Sequence, residues 1–443
     1  MNDKLKWIWL ADKCGPGSSE VLTLIERLGS IDNIYRTDYD GYVDAGISER
    51  LAEDLTDKSL DSAYSVARAC QSFGAGVLCY DDPVYPVSLK ALKDPPIVLY
   101  YVGKLPDLNK RLCISIVGTR KMSEYGMRAA YKIAYEVAAS GAVVISGMAL
   151  GIDGIAASAA LAAGGKTVAV LGCGIDIMYP REHTKLREII KQNGAVITEY
   201  PPSTSPMPGN FPIRNRIISG LGQGTVVVDA DLGSGALITA KKAILQGRDI
   251  YAVPGNIDAQ NTSGTNSLIR DGAQAVLCGA DIIKNYSYMF GEVLNMQRLH
   301  IASSTSDFSP ERVRDMGVGI RTRDGANYKS TEDIKVGYRA EIKTHPTEKR
   351  SGEQHSELGT GEKIPHPTAV TEKNDAGDNS AKVLASLTEK QRRVFDEMPL
   401  DRAVTVDYLT KTGFALGEVI SALTILEIKG LVSSLPGALY MRK

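Results

Sequence analysis

Histidine is scarce in this sequence: there are five in 443 residues, and His300, His345, His355 and His366 fall in or beside one polar stretch. An imidazole general base or nucleophile–base pair would rest on His183 alone, which argues against the familiar hydrolase triads. The six cysteines, Cys14, Cys70, Cys79, Cys113, Cys173 and Cys278, show neither CxxC spacing nor a paired pattern. Disulfides and zinc are therefore not expected, and the thiols read as small buried hydrophobes. Long apolar runs are missing as well. The opening MNDKLKWIWLADKCG holds a five-residue apolar run before a charge, too short for a signal-peptide core, and no later run approaches a membrane span. A cytoplasmic protein with no membrane contact is expected. Excess charge of one sign is absent too: the formal net charge is −1. Affinity for an acidic partner must then come from a local patch, because the field of the whole molecule is close to neutral.

What is present reads as ordinary globular protein, 43% apolar and 23% charged, and is long enough for about three domains. Residues 1–70 read as short helices, among them GPGSSEVLTLIERLGS with its Ser cap and Gly stop, and suggest a SAM-like or helix-hairpin-helix-like module. Residues 71–300 alternate apolar runs with helical ones. Strands are expected at 112–117, 142–146, 167–171, 195–199, 225–229 and 249–253, which is the pattern of a doubly wound parallel sheet. From 303 to 380 there is one leucine, Leu358, and no tryptophan, so 301–380 is expected to be a disordered linker. Residues 381–443 predict three helices and a hairpin, a winged helix. Its first helix carries a capping-box spacing from Ser386 to Glu389, its third repeats Leu416, Val419, Ile420, Leu423 and Leu426, and its hairpin turns at Pro436 and Gly437. That third helix shows Glu418, Glu427 and only Lys429, which favours protein contact or a weak DNA role over major-groove reading. The fold class is thus α/β: a Rossmann-like parallel sheet flanked by a helical module and a winged helix.

The right-handed crossover rule puts all the strand C-terminal ends on one edge, where open α/β sheets bind ligands. Small or special residues follow these ends: Gly118, Thr119 and Arg120; Ser146 and Gly147; Gly172, Cys173 and Gly174; then Glu199, Asp229, and Pro254 with Gly255. Dinucleotide binding fails on spacing, since the loop after the first strand is GTRKMSEYG, and no GxxxxGK[ST] is present. The helix over 234–247 begins with free amides at Ser234, Gly235 and Ala236, an anion site onto which Arg120, Arg214, Arg216 and Lys241 are able to converge. Arg214, Asn215 and Arg216 stand together in NFPIRNRIISG. Two guanidiniums at one helix start oppose the helix dipole, so they either hold phosphates or pair with Asp229, Asp231 or Glu199.

Read together, YPVSLKALKDPPIVLYYVG (85–103), SIVGTR (115–120), SGMALGID (146–153), VAVLGCGIDIMYP (168–180), TEYPP (198–202), NFPIRNRIISGL (210–221), SGALITAKKAILQGRDIYAVPG (234–255) and GTNSLIRDGA (264–273) closely resemble the DNA processing protein A (DprA, or Smf) family. The resemblance implies a non-enzymatic cytoplasmic homodimer that binds and protects single-stranded DNA during natural transformation and loads RecA onto it, with no cofactor or metal. Carried over by position, it implies nucleic-acid contacts at Gly118, Thr119 and Arg120, at Ser146 and Gly147, at Arg214, Asn215 and Arg216, and at Lys241. Phe211, Tyr179 and Tyr200 each offer a face for base stacking, with core packing the plainer account of each. Two positions depart from the family pattern: Leu150 stands where an arginine is usual, and Ala157 where a histidine is. The linker is also longer than the family generally carries. The alternative is a nucleotide phosphoribohydrolase of the lysine-decarboxylase-like family, which uses a PGGxGTxxE motif. The matching stretch here is DLGSGALITAKKA, without the acid–base glutamate that chemistry needs.

Overall fold

The computed structural model describes residues 2–306, 308–319, 387–399, 403–414, 416–429, 431–435 and 439–442. The chain divides into two compact units, Met1–Ala340 and Glu341–Lys443.

The first unit is organised by strands β1 (Gly76–Cys79), β2 (Val98–Gly103), β3 (Cys113–Gly118), β4 (Val143–Ser146), β5 (Lys166–Val170), β6 (Ala195–Thr198), β7 (Gly224–Val228), β8 (Asp249–Ala252) and β9 (Gln274–Ala275). They form one sheet in the order β1-β2-β6-β5-β4-β3-β7-β8-β9. All neighbours from β6 through β9 pair parallel, whereas β1 and β2 extend the β6 edge antiparallel. The chain runs outward from β3 to β6 and then returns to lay β7 on the other side of β3. The order reverses between β3 and β7, and that reversal opens a crevice beyond their C-terminal ends.

Both faces of the sheet are covered, so the strands are apolar throughout, yet the period of two still sorts their side chains. Ile114, Ile116, Val144, Ala169, Val226 and Val228 enter one core, and Cys113, Val117, Val143, Ile145, Val168 and Val227 enter the other. Strands β3 to β8 lie within one residue of the spans expected from sequence. The first core includes helices Glu124–Ala139 and Ile152–Ala162 and also Trp7, Trp9, Leu24 and Leu55 from the N-terminal helices. Six helices, from Asn2–Cys14 to Asp61–Ser72, occupy the N-terminal stretch. They pack on β1 and β2, with the rings of Trp7 and Tyr80 5.9 Å apart. The second core holds Ile217, Ile218 and Leu221 of helix Asn210–Leu221, and Ala236 and Ala240 of helix Gly235–Leu245.

The expected linker start at 301 needs correcting. Helices Met296–Thr305 and Pro310–Asp315 carry the ordered body to Gly319, because Leu299, Ala302, Val313 and Val318 are buried. The rest of that expected linker, 320–380, lies outside the described residues, as do 381–386.

In the second unit, helices Glu389–Asp396, Val406–Lys411 and Leu416–Ile428 accompany a three-stranded sheet of β10 (Val404–Thr405), β11 (Val432–Leu435) and β12 (Leu439–Arg442), in the order β10-β12-β11. Val394, Phe395, Leu409, Val419, Leu423 and Leu426 form its core. The capping box is made by Thr388 and Gln391, two residues beyond the expected Ser386, which lies outside the described residues together with the Pro436 and Gly437 turn. Among the described residues no helix is long and apolar enough to cross a membrane, and no His/Cys/Asp/Glu cluster has metal-ligand geometry. All six cysteines are free, four of them buried.

Candidate nucleic-acid interface

A crevice of about 860 Å³ lies at the β3/β7 switch point. Its floor requires glycine. Gly118, the last residue of β3, faces Val228 so closely that a Cβ would fall 1.9 Å from the Val228 carbonyl oxygen and 2.5 Å from Ile152 Cγ1. The chain then turns outward as Thr119, Arg120 and Lys121, with the Thr119 amide held by the Asp229 carbonyl at 2.9 Å. Across the crevice, Ser234 caps helix Gly235–Leu245 by accepting from the Ala236 amide at 3.3 Å, and open space surrounds the Cα of Gly235. This is a helix N-terminus that a ligand backbone can approach.

Two non-glycine residues at the strand ends sit in the left-handed region, Met148 after β4 (φ 51°) and Asp229 after β7 (φ 56°). Such conformations persist only where the surroundings over-determine them. At Asp229 the restraint is a carboxylate that accepts from the Ser123 amide at 2.5 Å and from Asn261 Nδ2 at 3.3 Å. At Met148 the carbonyl meets His183 Nδ1 at 3.1 Å, and the neighbouring Gly147 is gripped from both sides. Its amide donates to Asp153 Oδ2 at 3.1 Å and its carbonyl accepts from Arg214 Nη1 at 3.0 Å. A Cβ on Gly147 would lie 2.7 Å from Asp153 Oδ2 and 2.9 Å from the Arg214 guanidinium nitrogens. A buried imidazole therefore stands against this loop, supplied by His183 and not by position 157, where Ala157 packs in the core.

Arg214 is 4% exposed, and its Nη1 donates also to the Val170 carbonyl at the end of β5. Burial pushes its pKa down to about 10, with the Asp153 charge opposing, so it remains a cation at neutral pH. Burial pushes Asp153 up to about 6 against the pull of Arg214. The half-buried ring of Phe211 lies between the Arg120 and Arg214 guanidiniums, 5.4 and 5.6 Å from its centroid, with Tyr179 5.5 Å away. Arg120 is exposed and makes no hydrogen bond or ion pair among the described residues; Phe211 is its contact. The charged lining is Arg120, Lys121 and Arg214 against Asp153 and Asp231, a local positive excess on a chain whose total is −1.

The structure thus gathers Gly118, Thr119, Arg120, Arg214, Asn215 and Phe211 at one crevice. Four expected places fall elsewhere. Ser146 is buried behind it, donating to the Ile116 carbonyl at 2.8 Å, and Gly147 acts through its hold on Arg214. Lys241 is exposed but does not line the crevice, whose contacts along this helix end at Thr239. Arg216, two residues and so about 200° round the helix from Arg214, points away from it and is 1% exposed. Its Nη2 donates to Glu199 Oε1 at 2.6 Å and its Nε stands 3.2 Å from Asp94 Oδ2. Tyr200 is also buried, donating to the Asn210 carbonyl at 3.1 Å. Sequence reasoning missed Lys121, Asp153 and Asn261, although Lys121 adjoins Arg120 and Asp153 follows the glycine-rich SGMALG.

Comparison with known proteins extends this geometry. The sequence pattern described as DNA recombination-mediator protein A matches residues 76–287, and that of the DprA winged helix domain matches 379–438. Protein Smf of Synechocystis is 34% identical over 367 residues, 82% of this chain and 79% of its own. The DNA processing protein DprA of Bacillus subtilis is 38% identical over 219 residues, 49% of this chain and 74% of its own. The X-ray structure of DNA processing protein A from Streptococcus pneumoniae superposes with a TM-score of 0.56 at 33% identity, covering 63% of this chain and 97% of that one.

Proposed function

Because this chain belongs to the DNA recombination-mediator protein A family of DNA processing proteins, we propose that its switch-point crevice binds single-stranded DNA. The observation that carries the reading is the unpaired, exposed Arg120 guanidinium beside an open helix N-terminus and the Phe211 ring. The guanidinium and amides suit phosphate, and the ring suits a base. A ring stacks without unstacking cost on a base that has left a duplex, which favours single strands. Further parts of the proposal rest on family resemblance: protection of incoming DNA in natural transformation, handing of the strand to RecA, a cytoplasmic homodimer, and no chemistry on the DNA. Ile244 and Leu245, exposed at the end of helix Gly235–Leu245, offer apolar surface for such a dimer.

The test is fluorescence anisotropy of labelled oligo-dT with a duplex competitor at several salt concentrations. The logarithm of affinity should fall with log salt by about 0.7 per phosphate neutralised. Arg120→Ala should weaken binding about tenfold, the worth of a charge-assisted hydrogen bond, and flatten the slope by about one phosphate. Its melting temperature should change little, since Arg120 is exposed and makes no hydrogen bond or ion pair among the described residues. Duplex binding as tight as oligo-dT, or a flat salt dependence, would overturn the proposal. Free base released from nucleoside monophosphates would support the hydrolase alternative.

A pH effect follows from Asp153. Protonation below about pH 6 removes a negative charge from beside the phosphate groups, so affinity should rise as pH falls from 7.5 to 5.5. A gain of about threefold to tenfold is expected for one charge at the edge of a partly solvated site, and Asp153→Asn should flatten the profile. Affinity that falls over this range would show that the carboxylate serves binding in its ionised form.

A further inference from the structure

We propose that His183 is a positioning residue for the crevice loop 147–150 and that the segment Pro310–Gly319 straps it in place, so that single-strand affinity is set in part from behind the crevice. The proposal rests on the reading of the crevice as a DNA site. His183 is fully buried at the end of the turn Arg181–His183, and burial holds its pKa below the usual value, which keeps the ring neutral. Its Nδ1 stands 3.1 Å from the Met148 carbonyl, which only accepts, so Nδ1 carries the proton and Nε2 is bare. Nε2 has no hydrogen-bond partner among the described residues. An apolar side chain would occupy this space without the cost of that buried acceptor, so what the imidazole adds is the Nδ1–H it gives to Met148.

Met148 is where that hydrogen bond tells. It is held at φ 51° between two anchored carbonyls, its own on His183 and that of Gly147 on Arg214 Nη1. Release of the first lets Met148 relax toward negative φ, which swings the Gly147 carbonyl off the guanidinium. Arg214 then loses one of the two carbonyls that aim it at the Phe211 ring. The strap closes the other side of the imidazole. Its Pro310, Val313 and Val318 are buried. A Cβ on Gly154, in helix Ile152–Ala162, would lie 2.6 Å from His183 Cε1 and 3.1 Å from Val318 Cγ1, so ring and strap share the space that glycine leaves. Gly317, at φ 80°, passes so near helix Thr184–Asn193 that a Cβ would meet Lys185 Cβ at 2.5 Å, and one on Gly319 would stand 3.6 Å from Leu150 Cδ2. The strap thus reaches the crevice loop itself.

The test follows oligo-dT affinity by anisotropy and the Arg214 Nε–H resonance by NMR in the full chain, at a temperature where each variant is shown to be folded. His183→Leu removes the donor and keeps a side chain of similar size. It should weaken binding about fivefold to tenfold, the worth of one neutral hydrogen bond, and shift the Arg214 resonance. His183→Asn, whose Nδ2 donates from nearly the place of Nδ1, should recover most of both, which a packing role would not allow for the smaller side chain. Val318→Ala should weaken binding about threefold in wild type and not at all in the His183→Leu background, because the strap acts through the ring. Gly154→Ala, which crowds Cε1 with His183 in place, should act like His183→Leu and replaces it should that variant not fold. Wild-type affinity in His183→Leu, equal losses in His183→Leu and His183→Asn, or an additive Val318→Ala effect overturns the proposal. If wild type itself does not bind oligo-dT, the reading of the crevice falls instead, and the Arg214 resonance alone decides the role of His183.

Discussion

Arg214→Ala is expected to lose oligo-dT affinity by about a hundredfold or more and to lower folding stability by about 3–5 kcal/mol, the usual cost of removing one partner of a buried charged group. Arg120→Ala should lose affinity alone. The contrast arises from burial. Arg214 ties the Gly147 and Val170 carbonyls, at the ends of β4 and β5, to helix Asn210–Leu221, and it is the main positive charge acting on buried Asp153. Removing it leaves two carbonyls without their donor and takes from Asp153 its main cation, in the loop where Met148 is held at positive φ. Arg214→Lys keeps the charge, but an ammonium lacks the planar group whose Nη1 serves both carbonyls while Nε donates to Asn215 Oδ1 and the guanidinium lies near the Phe211 ring, so stability should recover more than affinity. Urea midpoints and anisotropy on the same preparations give both numbers. An Arg214→Ala protein that melts early yet binds oligo-dT like wild type would make Arg214 a strut, leaving Arg120, Lys121 and the helix N-terminus as the phosphate site.

The sheet was legible because its strands are buried on both faces and read as unbroken apolar runs; β3 to β8 follow from this directly. The antiparallel β1 and β2 and the two-residue β9 went unseen. β1 and β9 are edge strands of four and two residues, and β2, VLYYVG, pairs antiparallel with both β1 and β6 and so stands outside the alternation of strand and helix that marks the parallel part. The helices after residue 295 were hidden by composition. A window averaged over eighty polar residues conceals a few anchors such as Ala302 and Val313, although these suffice to dock a short helix. At the site, the strand-end glycines and Arg120 were legible because the topology alone puts them on one edge. The grouping of Arg214 with Arg216 overlooked helical geometry, since residues two apart cannot face one ligand, whereas Lys241 lies beyond Thr239, the last residue of its helix at the crevice. The role of Asp153 was beyond sequence reading, since it depends on a loop folding back so that Gly147 donates to it.

That same geometry sets the second large effect. Arg216→Ala should destabilise the protein by about 3–5 kcal/mol at neutral pH, while the folded molecule keeps its oligo-dT affinity within about twofold. Arg216 faces the N-terminal helices: a Cβ on Gly17 would meet Ile213 at 3.0 Å and the Arg216 Nε at 3.7 Å, and both Glu199 and Asp94 depend on the guanidinium. Without it, Glu199 is a nearly buried carboxylate with no cation, and burial already raises its pKa. The sign of the pH effect follows. In the variant the folded state binds the Glu199 proton more tightly than the unfolded chain does, so stability should rise as pH falls through the raised pKa, and the deficit against wild type should shrink in acid. Pairing Arg216→Met with Glu199→Gln should recover much of the loss at pH 7, because the buried charges are then removed together. Limited proteolysis at residues 15–18 would report whether the helices loosen from the sheet. A single variant that unfolds normally but loses DNA binding would instead place Arg216 in the crevice, against the direction its helix gives it.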